Sequence, residues 1–458
     1  MAVGTINTSI LTDIANAIRY QNGTATLYKP RQMAAAVAAL DGTDAGNYQA
    51  QPYKALESGI LSERVFEGIA DAIRGQNGES TLYRPEDMAP AILALEWDVG
   101  FKVRALLLTN GTLEINYYER RYSASGGTIQ QVFEVDTAGY SSASARPWDS
   151  IKLDVKRVYI DSSIAGLGIT NCAYWFNAFA NCTEVVGFEN LSDFTNGTQM
   201  FTSCGALETI YATSFTNAIA SSGSMFYGCS RLVGGTDGFV PSTTSAGSVC
   251  KLGAGGVLTN PNADNRTWFW GHFYADGQAV LTATATPDST RELLASGRIC
   301  AIGKYQGMGF TPWDASNRPQ LTSVHFASDM GGFADLKLIY LFYSCSNLAT
   351  ITGLGNLANV SSLRYTFSSC AFTEMDFRGF DPSHLTDLFY AFAGCGSLTT
   401  IYADATWALP TSGISGMQCF YNYRSLVGGN GTAWSSGNTS YTYMRIDKTG
   451  QAGYLTAA

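Results

Sequence analysis

Apolar residues near the start of the chain recur at the three- and four-residue spacing of one helical face, and this pattern occurs twice at a constant offset. In each copy an Asn-Gly pair predicts the left-handed end of a first helix, and Pro30 or Pro85 predicts the start of a second. We therefore expect two short helical hairpins, over residues 1–50 and 51–100. The repeated apolar positions are Ile10, Leu11, Ile14 and Ile18 in the first copy and Val65, Phe66, Ile69 and Ile73 in the second.

A shorter repeat fills the rest of the chain, in which a phenylalanine stands three residues before a cysteine. Within a module the cysteines lie 22 or 25 residues apart, which is the period of a solenoid coil with one strand and one helical turn. We interpret each cysteine as a small buried residue and each phenylalanine as the filling of the layer beside it. The pairs are Phe179/Cys182, Phe201/Cys204, Phe226/Cys229, Phe342/Cys345, Phe367/Cys370 and Phe392/Cys395.

The solenoid segment is itself duplicated. Residues 147–149, Pro-Trp-Asp, recur as residues 312–314, and each copy opens with an alternating segment that ends in Asn-Gly or Asp-Gly, which is typical of a β-hairpin. The predicted fold class is therefore α+β: tandem helical hairpins are followed by two modules, each a small β unit and a short solenoid. We expect these modules over residues 101–266 and 267–458.

Composition narrows the choice of partners. Of the 458 residues only 14% are charged, against a typical share of about 25%, and the net charge is −9. Because negative charge repels phosphate backbones and anionic headgroups, we do not expect nucleic acid as a partner. No window reaches the ~18 apolar residues of a membrane span, and the first residues lack the pattern of a signal peptide. We expect neither membrane insertion nor secretion on the chain's own signals.

No constellation of residues predicts an enzyme, a cofactor or a metal site. No Cys-x-x-Cys pair occurs, and the three histidines, His272, His325 and His384, lie far apart, which disfavours zinc. Asp149 and Asp314 have the residue type of a glycosidase pair, but they occupy equivalent positions of two modules and are better interpreted as turn-capping residues. A catalytic cysteine would need a thiolate near a histidine, which no spacing supports. We assign no catalytic residue.

Binding is favoured instead, because the chain is rich in tyrosine and tryptophan and a solenoid offers an extended surface. Each aromatic residue has packing in the core as its alternative role, so none is assigned as a ligand site. The candidates are Tyr227, Trp268, Trp270, Tyr421, Tyr423, Tyr441 and Tyr443.

The pattern Met-Phe-x-x-Cys-x-x-Leu at residues 200–207 and 225–232, with a closing Gly-Tyr-Leu-Thr at residues 453–456, resembles the BspA-type leucine-rich repeats of bacterial surface proteins and phage tail proteins. The N-terminal repeats resemble short repeats near the start of phage tail-fibre and tail-associated proteins. Together the resemblances imply a non-enzymatic virion protein and a homo-oligomer. Its N-terminal repeats would attach it to other virion proteins, and its repeat modules would bind a bacterial surface glycan or protein. Two alternatives stay open: a structural decoration or neck fibre of the virion with no receptor role, and a bacterial surface adhesin of the BspA type.

Overall fold

The fold is obtained from a computed structural model, in which the chain divides into two units. The first comprises Met1–Asp136 with Asp161–Ile164, and the second comprises Thr137–Ile160 with Ala165–Ala458. The structure describes residues 14–16, 18, 32–33, 36, 69–73, 87–88, 101–118, 123–242, 247–307, 309–313, 316–422 and 424–458.

The predicted α+β fold with tandem N-terminal helical hairpins is wrong. The described residues are mostly β, their α-helical backbone is confined to short stretches such as residues 14–16 and 69–73, and no helical hairpin occurs among them. The β character comes from residues 101 onward, where the described segments are short strands, turns and 3-10 helices. Apolar spacing at helical intervals does not by itself establish a hairpin, because a short helix is marginal without tertiary packing. The predicted turns at residues 22–23 and 77–78 lie outside the described residues. Four of the predicted apolar positions are buried: Ile14, Ile18, Ile69 and Ile73.

The first unit contains an antiparallel arrangement of three strands, β1 (Lys102–Leu108), β2 (Thr112–Tyr118) and β3 (Ile129–Glu134). β1 pairs with β2 on one side and with β3 on the other. A buried carboxylate, Glu114, fixes the loop before β3, since its oxygens accept hydrogen bonds from the backbone N–H groups of Ala124 at 2.7 Å and Ser125 at 3.1 Å.

The second unit opens with what we call the first solenoid, built on four short strands. They are β4 (Arg157–Ile160), β5 (Glu184–Val186), β6 (Thr209–Tyr211) and β7 (Leu258–Thr259). Each pairs in parallel with the next, and Val185 of β5 lies opposite Ile210 of β6, so one coil separates these two positions in the chain.

The same unit continues with a β-hairpin and a second solenoid. β8 (Trp268–Tyr274) pairs antiparallel with β9 (Gln278–Thr282) and β10 (Leu293–Cys300), and β9 pairs in parallel with β11 (Ser323–Phe326). We call the coils from β11 to the last strand the second solenoid. Its other strands are β12 (Leu336–Lys337), β13 (Thr350–Thr352), β14 (Val360–Ser362), β15 (Glu374–Asp376), β16 (Thr400–Ala403) and β17 (Leu455–Ala457).

The strands of the second solenoid form three groups of parallel pairs. β11 pairs with β13, β12 pairs with β14, and β15, β16 and β17 pair in that order. Short 3-10 helices connect many of the strands in this unit. They are Ala143–Ala145, Asp149–Ile151, Phe188–Asn190, Gly247–Val249, Pro261–Ala263, Arg318–Gln320, Ser328–Gly332, Leu354–Asn356 and Tyr441–Tyr443, and Ser162–Ile164 belongs to the first unit.

A column of aromatic rings, all phenylalanine except Trp313, forms the core of each solenoid. Successive ring centroids lie 5.3 to 6.2 Å apart in the second solenoid. The first coil of the first solenoid departs from the predicted register, because Phe176 and not Phe179 stacks on Phe201, at 5.5 Å. The columns are Phe176, Phe201 and Phe226 in the first solenoid, and Trp313, Phe342, Phe367, Phe392 and Phe420 in the second.

The cysteines pack beside these columns, as the packing interpretation requires. All ten are buried and none is in a disulfide. Four of the thiols donate a hydrogen bond to the carbonyl of the phenylalanine one coil earlier, for example Cys204 to Phe176 at 3.0 Å and Cys395 to Phe367 at 2.9 Å. Cysteine is therefore small enough for the layer and also supplies a donor, which alanine lacks.

Candidate functional site

The coils are joined by a second set of backbone hydrogen bonds, which we call the turn ladder. Every second N–H group of one coil donates to a carbonyl of the next, as from Tyr340 to Arg364 at 3.0 Å and from Phe342 to Thr366 at 3.1 Å. This spacing requires left-handed backbone at two positions of each coil, and Tyr340 and Ser344 hold them in one coil with φ of 58° and 59°.

The first of these left-handed positions carries different residues in the two solenoids. Left-handed backbone is uncommon for any residue other than glycine and is an outlier for a bulky one. The turn ladder fixes the backbone conformation, but nothing in the backbone requires a tyrosine there. In coil order the residues are Tyr174, Gln199 and Ser224 in the first solenoid, and Tyr340, Tyr365, Tyr390 and Gln418 in the second.

The three tyrosines of the second solenoid stack into a column. The rings of Tyr340 and Tyr365 have centroids 4.6 Å apart and planes 12° apart, and those of Tyr365 and Tyr390 are 5.0 Å and 11° apart. Tyr421, with 49% of its surface exposed, extends the row at 5.8 Å from Tyr390. We call these four residues the tyrosine column. Because stacked rings cover one another, the column presents ring edges along its length and an uncovered ring face only at its ends.

The phenol groups of Tyr340 and Tyr365 remain protonated at neutral pH. Burial, reinforced by the neighbouring ring, raises the pKa of both Tyr340 and Tyr365 above the ordinary value of 10.0. Each hydroxyl therefore keeps its ability both to donate and to accept a hydrogen bond. Both side chains are half-buried, so the ring positions are fixed while part of each ring stays accessible.

A charged pair and an aromatic ring flank the column. The guanidinium of Arg364 lies 4.3 Å from the ring centroid of Phe389, and its Nη1 is 3.3 Å from Oδ2 of Asp387. The backbone N–H of Phe389 donates to Oδ1 of Asp387 at 3.1 Å, which fixes the carboxylate. The side of the column is therefore lined by groups that donate and accept hydrogen bonds.

A pocket of about 440 Å³ opens beside the first ring of the column. This volume falls within the ~300–1,000 Å³ of small-molecule sites. Its lining residues come from the segment after β10 and from the first three coils of the second solenoid. They are Lys304, Tyr305, Gln306, Ile339, Tyr340, Arg364 and Asp387.

The aromatic residues singled out from the sequence are mostly packed against other side chains. Trp268 lies under the guanidinium groups of Arg266 and Arg298, at 5.4 and 4.4 Å. Trp270 stacks on His272, and Tyr443 stacks on Tyr454. Tyr441 is half-buried, and Tyr423 lies outside the described residues. Tyr227 and Tyr421 are the two candidates with about half of their surface exposed, 50% and 49%.

Sequence reasoning missed the three stacked tyrosines of the column. The sequence does contain a pattern that they share. Each stands two residues before the phenylalanine of its coil, in the pattern Tyr-x-Phe-x-x-Cys. The signal becomes informative only once the register of the coils brings the three positions together.

The residues considered for catalysis or metal binding are not brought together. Asp149 lies 2.9 Å from Arg146 and 3.1 Å from Lys152, and these two cations lower the pKa of its carboxyl although burial opposes them. Asp314 lies outside the described residues. Across the described part of the chain no group of three His, Cys, Asp or Glu side chains is placed to hold a metal ion.

The histidines have separate partners, and the thiol of Cys345 is not activated. His272 contacts the Ser296 hydroxyl, His325 contacts that of Thr352, and His384 is exposed beside Ser383. Burial raises the pKa of Cys345 from its ordinary 9.0 to about 12.

None of the described helices has the length and apolar character needed to cross a membrane.

Coil geometry defines the class of the described chain, a solenoid in which a short parallel strand recurs in successive coils. No family model and no curated protein matches the chain. A solved leucine-rich repeat protein from Eubacterium ventriosum aligns over 75% of this chain and 98% of its own, with 14% identity and a TM-score of 0.19. A similarity this low adds nothing to what the coil geometry shows. No match supports a phage tail-fibre identity.

Proposed function

We propose that this chain is a non-enzymatic surface-recognition protein of the adhesin type. Its ligand is a molecule on a bacterial cell surface, and the tyrosine column of the second solenoid binds it. The observation that carries the proposal is the run of three consecutive coils with a tyrosine in left-handed backbone, Tyr340, Tyr365 and Tyr390.

The energetic cost of this arrangement supports a binding role. A residue other than glycine in left-handed backbone costs about 1–3 kcal/mol, and glycine or asparagine would satisfy the same turn ladder. Each stacked ring pair returns about 0.5–1.5 kcal/mol. The column is thus close to neutral for folding, and the first solenoid forms its ladder with Gln199 and Ser224 at the matching positions.

The column also has the physical properties of a recognition surface. Tyrosine has few rotatable bonds, so a half-buried tyrosine loses little conformational entropy when it binds. Its ring contacts apolar groups and its hydroxyl forms hydrogen bonds, a combination enriched at binding sites. A solenoid sets these residues along an extended face rather than in a single cleft.

The kind of protein that contains the second solenoid is proposed from the repeat pattern of its coils. Their repeat pattern resembles that of BspA-type surface proteins, and the tyrosine column lies within them, so we favour an adhesin at a bacterial surface. Location in a virion, attachment through the N-terminal repeats and homo-oligomerisation stay predictions of the resemblance. Most residues of those repeats lie outside the described part of the chain.

Binding of the labelled full-length chain to a panel of bacterial cells tests the proposal. In the test variant, Tyr365→Gln with Tyr390→Ser, the column receives the residues of the matching positions in the first solenoid. We expect cell binding to fall by about tenfold or more, because two anchoring rings are lost.

The matched control changes the first solenoid at the same position, Ser224→Gln, and should bind like the unmodified chain. A purely structural role predicts that the unmodified chain binds no cells. That result, or equal binding by the test variant, contradicts the proposed function.

A further inference from the structure

We infer that the pocket beside the tyrosine column binds a neutral sugar unit of a cell-surface polysaccharide. In this assignment Arg364, Asp387 and Gln306 hydrogen-bond the sugar hydroxyls, and the ring of Tyr340 contacts the apolar face of the sugar. The inference rests on the proposed function and specifies the chemical class of its ligand.

One wall of the pocket is rigid. The ring of Tyr305 stacks on Phe310 with centroids 3.8 Å apart, and its hydroxyl accepts a hydrogen bond from the backbone N–H of Cys300 at 3.0 Å. A Cβ at Gly303 would lie 2.4 Å from the Tyr305 ring, so only glycine leaves room for this packing. The segment is further held by the N–H of Lys304, which donates to the carbonyl of Gly238 at 2.8 Å.

The rest of the lining combines an apolar surface with polar groups. Tyr340 is the first ring of the column, so Tyr365 covers one of its faces and no column ring covers the other. Ile339 lies beside it and is buried. Arg364 and Asp387 follow from the next two coils. A pyranose sugar has an apolar ring face and a rim of hydroxyl groups. It therefore fits a pocket that has an apolar surface beside polar groups.

The charges in the pocket favour a neutral ligand over an acidic one. Each cation already faces a carboxylate, Lys304 with Asp237 at 2.9 Å and Arg364 with Asp387 at 3.3 Å. An acidic sugar would have to compete with these carboxylates, and the net charge of −9 repels it at long range.

Hydroxyl groups, in contrast, leave both ion pairs intact. The contact with Asp387 is made by one nitrogen of Arg364, whereas a guanidinium carries five N–H donors in a planar fork. A carboxylate likewise has lone pairs for more than one donor. The amide nitrogen of Gln306 donates to the carbonyl of Val240 at 3.3 Å, so its oxygen is the group that faces a ligand hydroxyl. Neutral hydroxyls both donate and accept, so they can bridge Arg364, Asp387 and this amide oxygen without separating the charges.

Isothermal titration calorimetry of the full-length chain tests the inference with defined probes. The neutral probes are maltohexaose, cellohexaose and a mannan oligosaccharide, and the acidic probes are oligogalacturonate and oligosialic acid. We expect a neutral probe to bind with an affinity that changes little with salt, because no ion pair forms with the ligand.

The test variants are Asp387→Asn and Gln306→Ala. The asparagine keeps an oxygen for the N–H of Phe389, so the turn is preserved while the paired charge is removed. Each variant should weaken the neutral probe by about tenfold. The control is Ser221→Ala, because Ser221 lies in the first solenoid where Asp387 lies in the second, and it should leave binding unchanged.

The outcomes separate this inference from the proposed function. Binding of a neutral probe that is lost in both test variants supports the inference. Binding of an acidic probe alone, weakened by salt, overturns it and leaves the recognition function standing. Cell binding that needs the tyrosine column and is removed by protease treatment of the cells identifies a protein ligand, which also overturns it. An unmodified chain that binds neither cells nor sugars overturns both.

Discussion

The two solenoids share one backbone and differ in what they place on it. Both have the parallel strands, the phenylalanine column and the turn ladder with its left-handed positions. At the first left-handed position the first solenoid has Tyr174, Gln199 and Ser224, whereas the second has tyrosine in three consecutive coils. The comparison indicates that the ladder determines the conformation of the position and leaves its side chain free to serve binding.

The two solenoids also differ at the first coil of the turn ladder, where side chains donate to the carbonyl groups. In the first solenoid the buried guanidinium of Arg146 donates to the carbonyls of Tyr174, Trp175 and Asn177, and the indole of Trp148 donates to Trp175 at 2.9 Å. In the second solenoid the indole of Trp313 donates to Leu341 at 3.0 Å, and Thr311 stands in sequence where Arg146 stands in the first. The first solenoid therefore depends on a buried cation at its end.

The largest effect is expected from removing that cation. Arg146→Met removes the only side-chain donor to the carbonyl of Asn177, one of two donors to the carbonyls of Tyr174 and Trp175, and one partner of Asp149, so we expect the free energy of unfolding to fall by about 2–4 kcal/mol. Urea denaturation followed by circular dichroism measures it. The matched change in the second solenoid, Thr311→Val, should cost about 1 kcal/mol, because a single hydroxyl bond is lost. Equal losses would show that the two ends are held alike.

The cysteine layer should respond to alkaline pH in the same way in both solenoids. Burial raises the pKa of Cys345 to about 12 and also raises that of Cys204. A thiol with an ordinary pKa of 9.0 loses its proton first in the unfolded chain, so the stabilisation is complete below pH 9.0 and is lost as the pH rises toward the folded pKa.

Stability should therefore fall by up to ~1.4 kcal/mol per pH unit for each thiol above about pH 9. Cys345→Ala and Cys204→Ala should each reduce this slope by one thiol's share, as measured by urea denaturation between pH about 8 and about 11. A reduced slope in one variant alone would mean that the two cysteine layers are not equivalent.

The smallest effect concerns the left-handed positions themselves. Gln199→Gly removes backbone strain and no ring contact, so we expect it to stabilise the protein by about 1 kcal/mol. Tyr365→Gly relieves the same strain but loses two stacked ring pairs and the edge contacts with Tyr343 and Phe389, so we expect a net loss of no more than about 2 kcal/mol. Thermal denaturation measures both. A large loss in Tyr365→Gly would make the column a structural feature of the fold.

The sequence predicts those features of the repeat that depend only on the spacing of residues. The coil period and the buried cysteines follow from the positions of phenylalanine and cysteine. The first coil was assigned wrongly because only Phe179 stands three residues before a cysteine, whereas the ring that stacks on Phe201 is that of Phe176. The helical prediction failed because apolar spacing does not reveal whether enough consecutive residues remain helical.

The candidate site was beyond what the sequence predicts. Tyr340, Tyr365 and Tyr390 look like ordinary core residues until the turn ladder defines their conformation. The pocket joins Lys304 and Gln306 to Arg364 and Asp387, and this proximity depends on how the segment after β10 packs against the coils. Local periodicity carries no information about such long-range contacts.

Hydroxyl-radical footprinting of the full-length chain, free and bound to bacterial cells, tests the central claim most directly. Binding through the second solenoid predicts that Tyr340, Tyr365, Tyr390 and Tyr421 become protected from oxidation, while Tyr174 and Tyr227 of the first solenoid react as they do in the free chain. Protection confined to the first solenoid, or oxidation of the tyrosine column unchanged by binding, would contradict the account.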